Sequence, residues 1–521
     1  MAWDNEIEEL RRRHEWAEAQ GGEYNVGRQH NAGRLTVRER IDKLVDTGTF
    51  QEIGKTTGAG EYSKDGKLKN VTPAPYVAGL AKIDGRPVAV GGEDFTIRGG
   101  TTARLDRRKG GQGGFSEDLA HEYRIPLVNL IDGAGGSVTS AKNRGHAVFP
   151  GVDNFDRSVD LMGKVPVVGA VLGSAAGGPA GRAILSHFSV MVRDTSQIFA
   201  AGPAVVKRSL GQDVTKEELG GPKVAVDMGG TIDNIAADED ECLELVKRYL
   251  SYMPQNVWEM PSRSETGDPI QRCENELKDI VPEERRRPYD MRRLMELIFD
   301  KGSLFEIQPR FGKGLITTLA RLDGYVVGIV ANNPMVYGGA MNVGEAHKQC
   351  RFVELCDTFH IPLIFLVDVP GFMVGLEAEA HGVLRAGMRA VFVASQATVP
   401  VITLVVRKCY GMAGMAACPQ RGANLKLAWP SAEWGSLPVE GGVAVAYRRE
   451  IEAADDPKAK EAELEEELRF YSSPFRTAEA FGVEDIIDPR ETRLYLARHV
   501  EAMQAKLQTM VGLKQKLGVR P

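Results

Sequence analysis

The chain offers few of the features that mark a membrane protein, a nucleic-acid binder, a disulfide scaffold or a metal site. Its longest apolar runs, such as VPVITLVV at 399–406, fall far short of the ~18–20 residues a membrane-spanning helix needs. With a net charge of −6 and a pI near 6.0, it has no overall basic field for nucleic acid or an anionic membrane, and an anionic ligand would have to be met by local basic groups. The opening MAWDNEIEELRRRHEW is a charged helical pattern with no apolar signal segment, so a cytoplasmic location is expected. The six cysteines, Cys242, Cys273, Cys350, Cys356, Cys409 and Cys418, include no C-x-x-C pair and no Cys/His spacing of a zinc site; reduced, mostly buried thiols are expected, and no metal. Neither H-E-x-x-H nor G-x-S-x-G occurs among the nine histidines and the serines, and His146, His187, His360 and His381 read as packing or surface residues.

What the chain does contain is itself, twice. At 521 residues with 43% hydrophobic content it can bury a large core and exceeds the usual single domain. DTGTFQEI at 46–53 returns as DKGSLFEI at 300–307, and LAKIDG at 80–85 as LARLDG at 319–324. RGG at 98–100 returns as YGG at 337–339, IPLVNLID at 125–132 as IPLIFLVD at 361–368, and KVPVVGAVLG at 164–173 as TVPVITLVVR at 398–407. The order is kept while the offset shrinks from 254 to 239, 236 and 234, a pattern chance similarity does not produce. Two homologous domains follow, 1–255 and 256–521, joined through the proline-bearing stretch 251–269. The extra polar residues at 54–72 read as a surface loop of the first domain.

In each half, continuous apolar strands alternate with helical patterns such as GFSEDLAHEY and KQCRFVELCDTFH. This is the signature of an α/β fold with strands buried on both faces. Small-residue turns follow the matched strands: DGAGG at 132–136 and GSAAGGPAG at 173–181 in the first half, DVPGFMVG at 368–375 and YGMAGMA at 410–416 in the second. Neither first-half turn has Walker or dinucleotide spacing. Each either packs helix against strand or brings backbone N–H donors close to an anion. Their occurrence in pairs favours the second reading. Backbone donors without an evident nucleophile point to catalysis by stabilising an oxyanion, such as an enolate.

LTVRERIDKLVDTGTFQEIG (35–54), TSQIFAAGPAVVKRSLGQDVTKEELGG (195–221), FVELCDTFHIPLIFLVDVPGF (352–372) and FGVEDIIDPRETR (481–493) resemble the carboxyltransferase (beta) subunits of biotin-dependent acyl-CoA carboxylases. That resemblance, along almost the whole chain, implies two tandem crotonase-like (ClpP/crotonase) domains. It implies a reaction in which carboxybiotin on a separate carrier releases CO2, the biotin anion removes a substrate proton, and the acyl-CoA enolate takes up the CO2. In the family the N-terminal half meets the thioester oxygen, which points to Gly177 and Gly178 with Gly135 and Gly136 as support. The C-terminal half meets the biotin ureido oxygen, at the position of Met412 and Ala413. Arg98, Gly99 and Gly100, followed by Arg104, Arg107, Arg108 and Lys109, lie where the family holds part of the CoA nucleotide; an ordinary solvated basic loop is the other reading of that run. Gly371, Phe372, Tyr410 and Gly411 are the cofactor-side residues of the second half. A biotin carboxylase and a biotin carboxyl carrier are the implied partners, because no M-K-M biotinylation sequence occurs in the chain. The implied assembly is a homohexamer, a trimer of dimers in which a site uses the N-half of one subunit and the C-half of another.

DGAGGSV stands at 132–138 where propionyl and acetyl enzymes of the family read D-S-G-G-A-R, and YGMAGM stands at 410–415 where they read Y-G-G-A-Y-D. VFPGVDNF (148–155) and GFMVGLEAEAHGV (371–383) look like the methylcrotonyl and geranyl branch, whereas DVPGF and RKCYG look like the propionyl branch. The acyl group therefore stays open at this point. So do a transcarboxylase or decarboxylase component and a non-catalytic CoA-binding subunit. The charge-dense DDPKAKEAELEEELRFY at 455–471 reads as a solvated helix.

Overall fold

The computed structural model describes residues 3–101, 108–111, 113–135, 142, 145–147, 155–419 and 424–514. The chain divides into two compact units, Met1–Glu259 together with the segment that begins at Gly512, and Met260–Val511.

The first unit contains β1 (Gln51–Glu52), β2 (Gly58–Tyr62), β3 (Leu68–Pro73), β4 (Tyr76–Ile83), β5 (Arg86–Glu93), β6 (Leu127–Ile131), β7 (Val167–Val171), β8 (Ser174–Ala176), β9 (Phe188–Val192), β10 (Gln197–Phe199) and β11 (Asn234–Ala236). Its main sheet has the order β1-β4-β5-β6-β7-β9-β11, antiparallel across β1, β4 and β5 and parallel from β5 onward. The second unit contains β12 (Phe305–Ile307), β13 (Leu315–Leu322), β14 (Tyr325–Asn332), β15 (Leu363–Val369), β16 (Val401–Tyr410), β17 (Leu425–Ala428), β18 (Glu433–Gly435) and β19 (Asp485–Ile486). The order β12-β13-β14-β15-β16-β17-β19 repeats the same succession of two antiparallel and four parallel pairings.

The register repeats as well. Ala89 pairs Leu127 and Leu127 pairs Val167 in the first sheet; Gly328 pairs Leu363 and Leu363 pairs Val401 in the second. The leading hairpins turn through Asp84-Gly85 (φ 49° and 77°) and Asp323-Gly324 (φ 52° and 78°). Two consecutive positive φ values are what a two-residue turn of matching twist demands, and Asp-Gly supplies them cheaply. Residues of β6, β7, β9 and β15 are buried throughout, as continuous apolar runs of a parallel sheet covered on both faces should be.

Helices cover the sheets with apolar faces at helical spacing. Met291–Ile298 is capped by the Asp290 carboxylate, which accepts from the N–H groups of Arg292 and Arg293, and it buries Met291, Leu294, Met295, Leu297 and Ile298. Val37–Leu44 is its first-unit counterpart, held by a Thr36/Glu39 capping box and burying Val37, Arg40, Ile41 and Leu44. Pro457–Tyr471 buries only Leu464, as its charge pattern predicts for a solvated helix. The polar stretch 54–72 differs from expectation: it forms the antiparallel hairpin β2/β3 rather than an open loop, though it lies at the surface. Its Asp65-Gly66 pair, with Gly66 at φ 79°, is a hairpin signal that polarity obscured. Among the described residues, no helix is long and apolar enough to cross a membrane.

Candidate active site

The first-unit turns grow out of β6 and β7. After Ile131 comes Asp132, fully buried, whose Oδ2 accepts from Gln29 Nε2 (3.0 Å) and Arg40 Nη1 (3.1 Å) and whose Oδ1 accepts from Arg34 Nη1 (3.2 Å). Arg40, itself buried, donates to both oxygens of Glu239 at 2.7 Å and to the Leu172 carbonyl at 2.9 Å. Those carboxylates hold its guanidinium above the ordinary arginine range although burial works against them. Arg98, Gly99 and Gly100 form a turn with three successive positive φ values, 53°, 61° and 73°. A Cβ on Gly100 would stand closer than 3.0 Å to the Asp132 carbonyl, so only glycine allows this approach. Ala134 N–H donates to the Gly99 carbonyl (3.0 Å) and Thr101 Oγ1 to the Gly135 carbonyl (3.1 Å), which ties that turn to residues 132–135.

Gly135 and Gly177 are glycine for different reasons. A Cβ at Gly135 would collide with the Ala176 carbonyl, so Gly135 serves packing. At Gly177 (φ 60°, ψ −123°) a Cβ would meet nothing within 4 Å; the backbone conformation demands glycine there and leaves the residue exposed. Gly177 caps the helix Gly178–Ile184, whose first N–H groups have no partner inside the helix. Arg182 anchors this helix from below through Glu93, with the Tyr76 hydroxyl and Asn129 Oδ1 each at 3.2 Å.

The second unit repeats this architecture. Tyr337, Gly338 and Gly339 have φ 47°, 63° and 86°, and a Cβ on Gly339 would strike the Asp368 carbonyl. Asp368 is fully buried; Arg407 Nη2 lies 3.0 Å from its Oδ2 and Lys408 Nζ 3.5 Å from its Oδ1. Lys408 also donates to the Gly338 carbonyl (3.1 Å), pinning the turn. Met341 N–H donates to the Gly371 carbonyl (3.1 Å), and Gly371 (φ 146°) has open space where a side chain would stand. The Phe372 ring packs against Gly387. At the end of β16, Tyr410 is buried, and burial beside Glu433 pushes its phenol well above the usual range. Gly411 then opens the helix Gly411–Ala417 at φ 58°, with only the Ser436 carbonyl, 3.4 Å away, near the position of a Cβ.

Gly411 stands to Gly177 (411 − 177 = 234) as β16 stands to β7, and their φ values of 58° and 60° nearly coincide. The repeat therefore sets Gly411 and Met412 opposite Gly177 and Gly178, one residue earlier than the expected pair Met412 and Ala413. Ala413 is fully buried, whereas Met412 is 41% exposed. Gly136, Arg104 and Arg107 lie outside the described residues. Arg108 is engaged by Asp118 and lies over the Phe115 ring, and Lys109 Nζ is 3.3 Å from Glu52 Oε1, so both basic groups have partners within the unit. A cavity of about 860 Å³ in the second unit, lined by Arg285, Arg407, Trp429, Glu433 and Arg469 among others, does not include the glycine turns.

The buried carboxylate centres of Asp132 and Asp368 were not singled out by sequence reasoning. The signal was present in Arg40, a charged residue at an apolar position of its helix whose repeat counterpart (40 + 254 = 294) is Leu294. What the turns offer chemically is backbone N–H groups in rigid, charge-braced loops, suited to an oxygen that gains negative charge.

A family model described as the carboxyl transferase domain matches residues 28–516. The chain is 37% identical over 516 residues to the carboxyltransferase subunit of propionyl-CoA carboxylase from Haloferax mediterranei, covering 97% of each chain. It is 36% identical over 521 residues to the methylmalonyl-CoA carboxyltransferase 12S subunit of Propionibacterium freudenreichii subsp. shermanii, covering 98% of this chain and 96% of that one. The solved structure of a transcarboxylase 12S hexamer with methylmalonyl-coenzyme A and methylmalonic acid bound superposes with a TM-score of 0.87 at 34% identity, over 99% of this chain and 96% of that one. The chain belongs to the carboxyl transferase family, as a carboxyltransferase subunit of the biotin-dependent acyl-CoA carboxylase and transcarboxylase class.

Proposed function

We propose that the chain transfers a carboxyl group between carboxybiotin, carried by a separate subunit, and a three-carbon acyl-CoA, the propionyl-CoA/methylmalonyl-CoA pair. The observation that carries the proposal is the matched pair of positive-φ glycines, exposed Gly177 and half-buried Gly411, each at the start of a short helix beyond the matched strands β7 and β16. The acyl choice rests on the two relatives named for propionyl- and methylmalonyl-CoA.

On this reading the first unit, 1–255 as read from the repeat, takes the acyl-CoA, and the second, 256–521, takes biotin. The N–H groups of Gly177 and Gly178 donate to the thioester oxygen, strengthening as it becomes an enolate oxygen; that differential is what lowers the barrier. Gly135 holds β8 close enough to place them. Arg98, Gly99 and Gly100 form the rim on the CoA side, and Arg104, Arg107 and Arg108 of the basic run are assigned to the CoA phosphates. The residues of the second unit fit biotin: N–H donors at Gly411 and Met412 suit its ureido oxygen, and exposed Met412 and Met415 offer apolar cover to its ring. Gly371, Phe372 and Tyr410 support that turn, and Ala413 seats the helix in the unit. When bound, carboxybiotin supplies the carboxyl group and, after its loss, a basic ureido nitrogen. The subunit works with a biotin carboxylase and a biotin carboxyl carrier, and assembles as a hexamer as the 12S relative does.

The deciding experiment runs the reaction backwards. The purified chain is mixed with malonyl-, methylmalonyl- or methylglutaconyl-CoA, with and without free biotin, and loss of the carboxyl group is followed. Biotin-dependent loss, fastest with methylmalonyl-CoA, is expected; preference for another ester overturns the acyl assignment, and biotin-independent loss overturns the carrier chemistry.

A further inference from the structure

The helix Gly411–Ala417 is bracketed by two cysteines. Cys409 is the penultimate residue of β16 and Cys418 caps the helix C-terminus, and their sulfurs are 3.8 Å apart. Both thiols are free and partly exposed, unlike the buried Cys242, Cys350 and Cys356. Gly414 makes the approach possible, because a Cβ there would stand 2.8 Å from the Cys409 sulfur. The helix is thus spanned from one end to the other by a pair of sulfurs in contact.

We propose that Cys409 and Cys418 form an oxidative modification site, at which a peroxide converts the dithiol to a disulfide and disables the turn at Gly411 and Met412. The loss-of-activity part rests on the assignment of that turn to the biotin side. The chemistry balances with hydrogen peroxide as oxidant. The Cys418 thiolate attacks the peroxide oxygen, giving a sulfenic acid while the departing hydroxide takes a proton and leaves as water. The Cys409 sulfur then attacks the sulfenyl sulfur, the S–S bond forms, and a second water leaves; the two thiols give up two electrons and the peroxide accepts them. Cys418 is the better attacking group: the hydrogen bond from Cys409 pulls its ionisation below the ordinary thiol range, helped by Thr403 and Lys426, while Cys409 is pushed up.

On this proposal, closing the sulfurs from 3.8 Å to the ~2.05 Å of a disulfide draws the end of β16 and the helix terminus together. Gly411 and Met412 follow Cys409 directly after Tyr410, so their N–H groups move with it. A misplacement of about 1 Å in a positioned catalytic group can cost roughly 10²-fold in rate.

The test uses the full-length oligomer, reduced and then titrated with hydrogen peroxide. The 409–418 disulfide is quantified by peptide mass spectrometry, and methylmalonyl-CoA decarboxylation is followed with free biotin. The expected result is a 409–418 cross-link that forms before other thiols react, a roughly 10²-fold fall in turnover, and recovery with dithiothreitol. Cys418→Ser should turn over normally and resist peroxide. Failure of the 409–418 disulfide to form under oxidation that consumes the exposed Cys273 overturns the proposal, as does a fully cross-linked protein with unchanged turnover. A cross-link in a protein whose reduced form never shows biotin-dependent turnover leaves the modification site standing and sinks the biotin-side assignment instead.

Discussion

The two units bury an aspartate at the same point of the same sheet, and they neutralise it from opposite directions. In the first unit the cation is Arg40, on the helix Val37–Leu44, and the facing strand position is Gly173, where a Cβ would collide with the Asp132 carboxylate. In the second unit that strand position (173 + 234 = 407) is Arg407, which bonds Asp368, and the helix position (40 + 254 = 294) is Leu294, part of the apolar core. The arginine and the small or apolar residue have changed places. What the fold holds constant is a compensated carboxylate beneath the positive-φ turn, because an unpaired charge there costs several kcal/mol. Which element supplies the cation is free to vary, provided the other makes room.

The comparison breaks most visibly at Arg40. Arg40→Leu, which copies the second unit's helix, leaves Glu239 without its bidentate partner and Asp132 with Arg34 as its one cation beside the neutral Gln29 amide. It should destabilise the first unit by about 3–5 kcal/mol, read as a shift of the urea midpoint. Adding Gly173→Arg to that variant supplies the second unit's solution and should recover part of the loss, the part belonging to Asp132. Strictly additive losses in this double-mutant cycle would mean the two positions do not exchange roles.

Next in size are the paired turns themselves. Gly178→Pro and Met412→Pro each delete one N–H at a helix position that tolerates proline, and each should lower biotin-dependent decarboxylation about 10²–10³-fold, or ~2.7–4 kcal/mol of barrier. Gly178→Ala and Met412→Ala keep the N–H and should retain most of the activity. Met412→Pro alone should also raise the KM for free biotin, which separates the roles of the two units. Arg407→Ala should be milder than Arg40→Leu, about 1–3 kcal/mol in the second unit, since Lys408 remains 3.5 Å from Asp368.

The repeated architecture was legible because it is written in local signals. Apolar strand runs, the Asp-Gly turns at 84–85 and 323–324 and the Gly-Gly pairs at 99–100 and 338–339 each have a steric reason to be there. The Asp132 and Asp368 centres were not legible, because they assemble residues up to 199 positions apart (239 − 40). No spacing rule marks such contacts. Cys409 and Cys418 escaped for the opposite reason: eight residues between cysteines match no familiar motif, and only the short helix between them brings the sulfurs together. The repeat aligns Gly411 and Met412 with Gly177 and Gly178, one residue before the expected pair Met412 and Ala413, an alignment that shows only once Gly411 is seen at φ 58°.

The smallest predicted effect concerns a carboxyl group that the first unit has and the second lacks. Glu117, buried in the helix Phe115–Tyr123, accepts from Ser158 Oγ (2.8 Å) and Gly113 N–H (3.1 Å); its counterpart (117 + 236 = 353) is the buried Val353. Burial pushes the Glu117 carboxyl above the ordinary range, and the two hydrogen bonds only partly oppose it. The folded state therefore keeps a proton that the unfolded chain has already released. In the window from the unfolded value up to the raised folded value the native state binds more protons, so stability falls as pH rises and then levels off. Glu117→Gln stays neutral and keeps one carbonyl for Gly113, while Ser158 can turn to accept from the new amide. It should abolish that slope and leave the protein more stable than wild type at neutral pH by at most about 1 kcal/mol, measured as urea midpoints at pH 5 and pH 7.5. Glu117→Val, which imitates the second unit without its apolar surroundings, should lose stability at both pH values because Gly113 N–H and Ser158 are stranded.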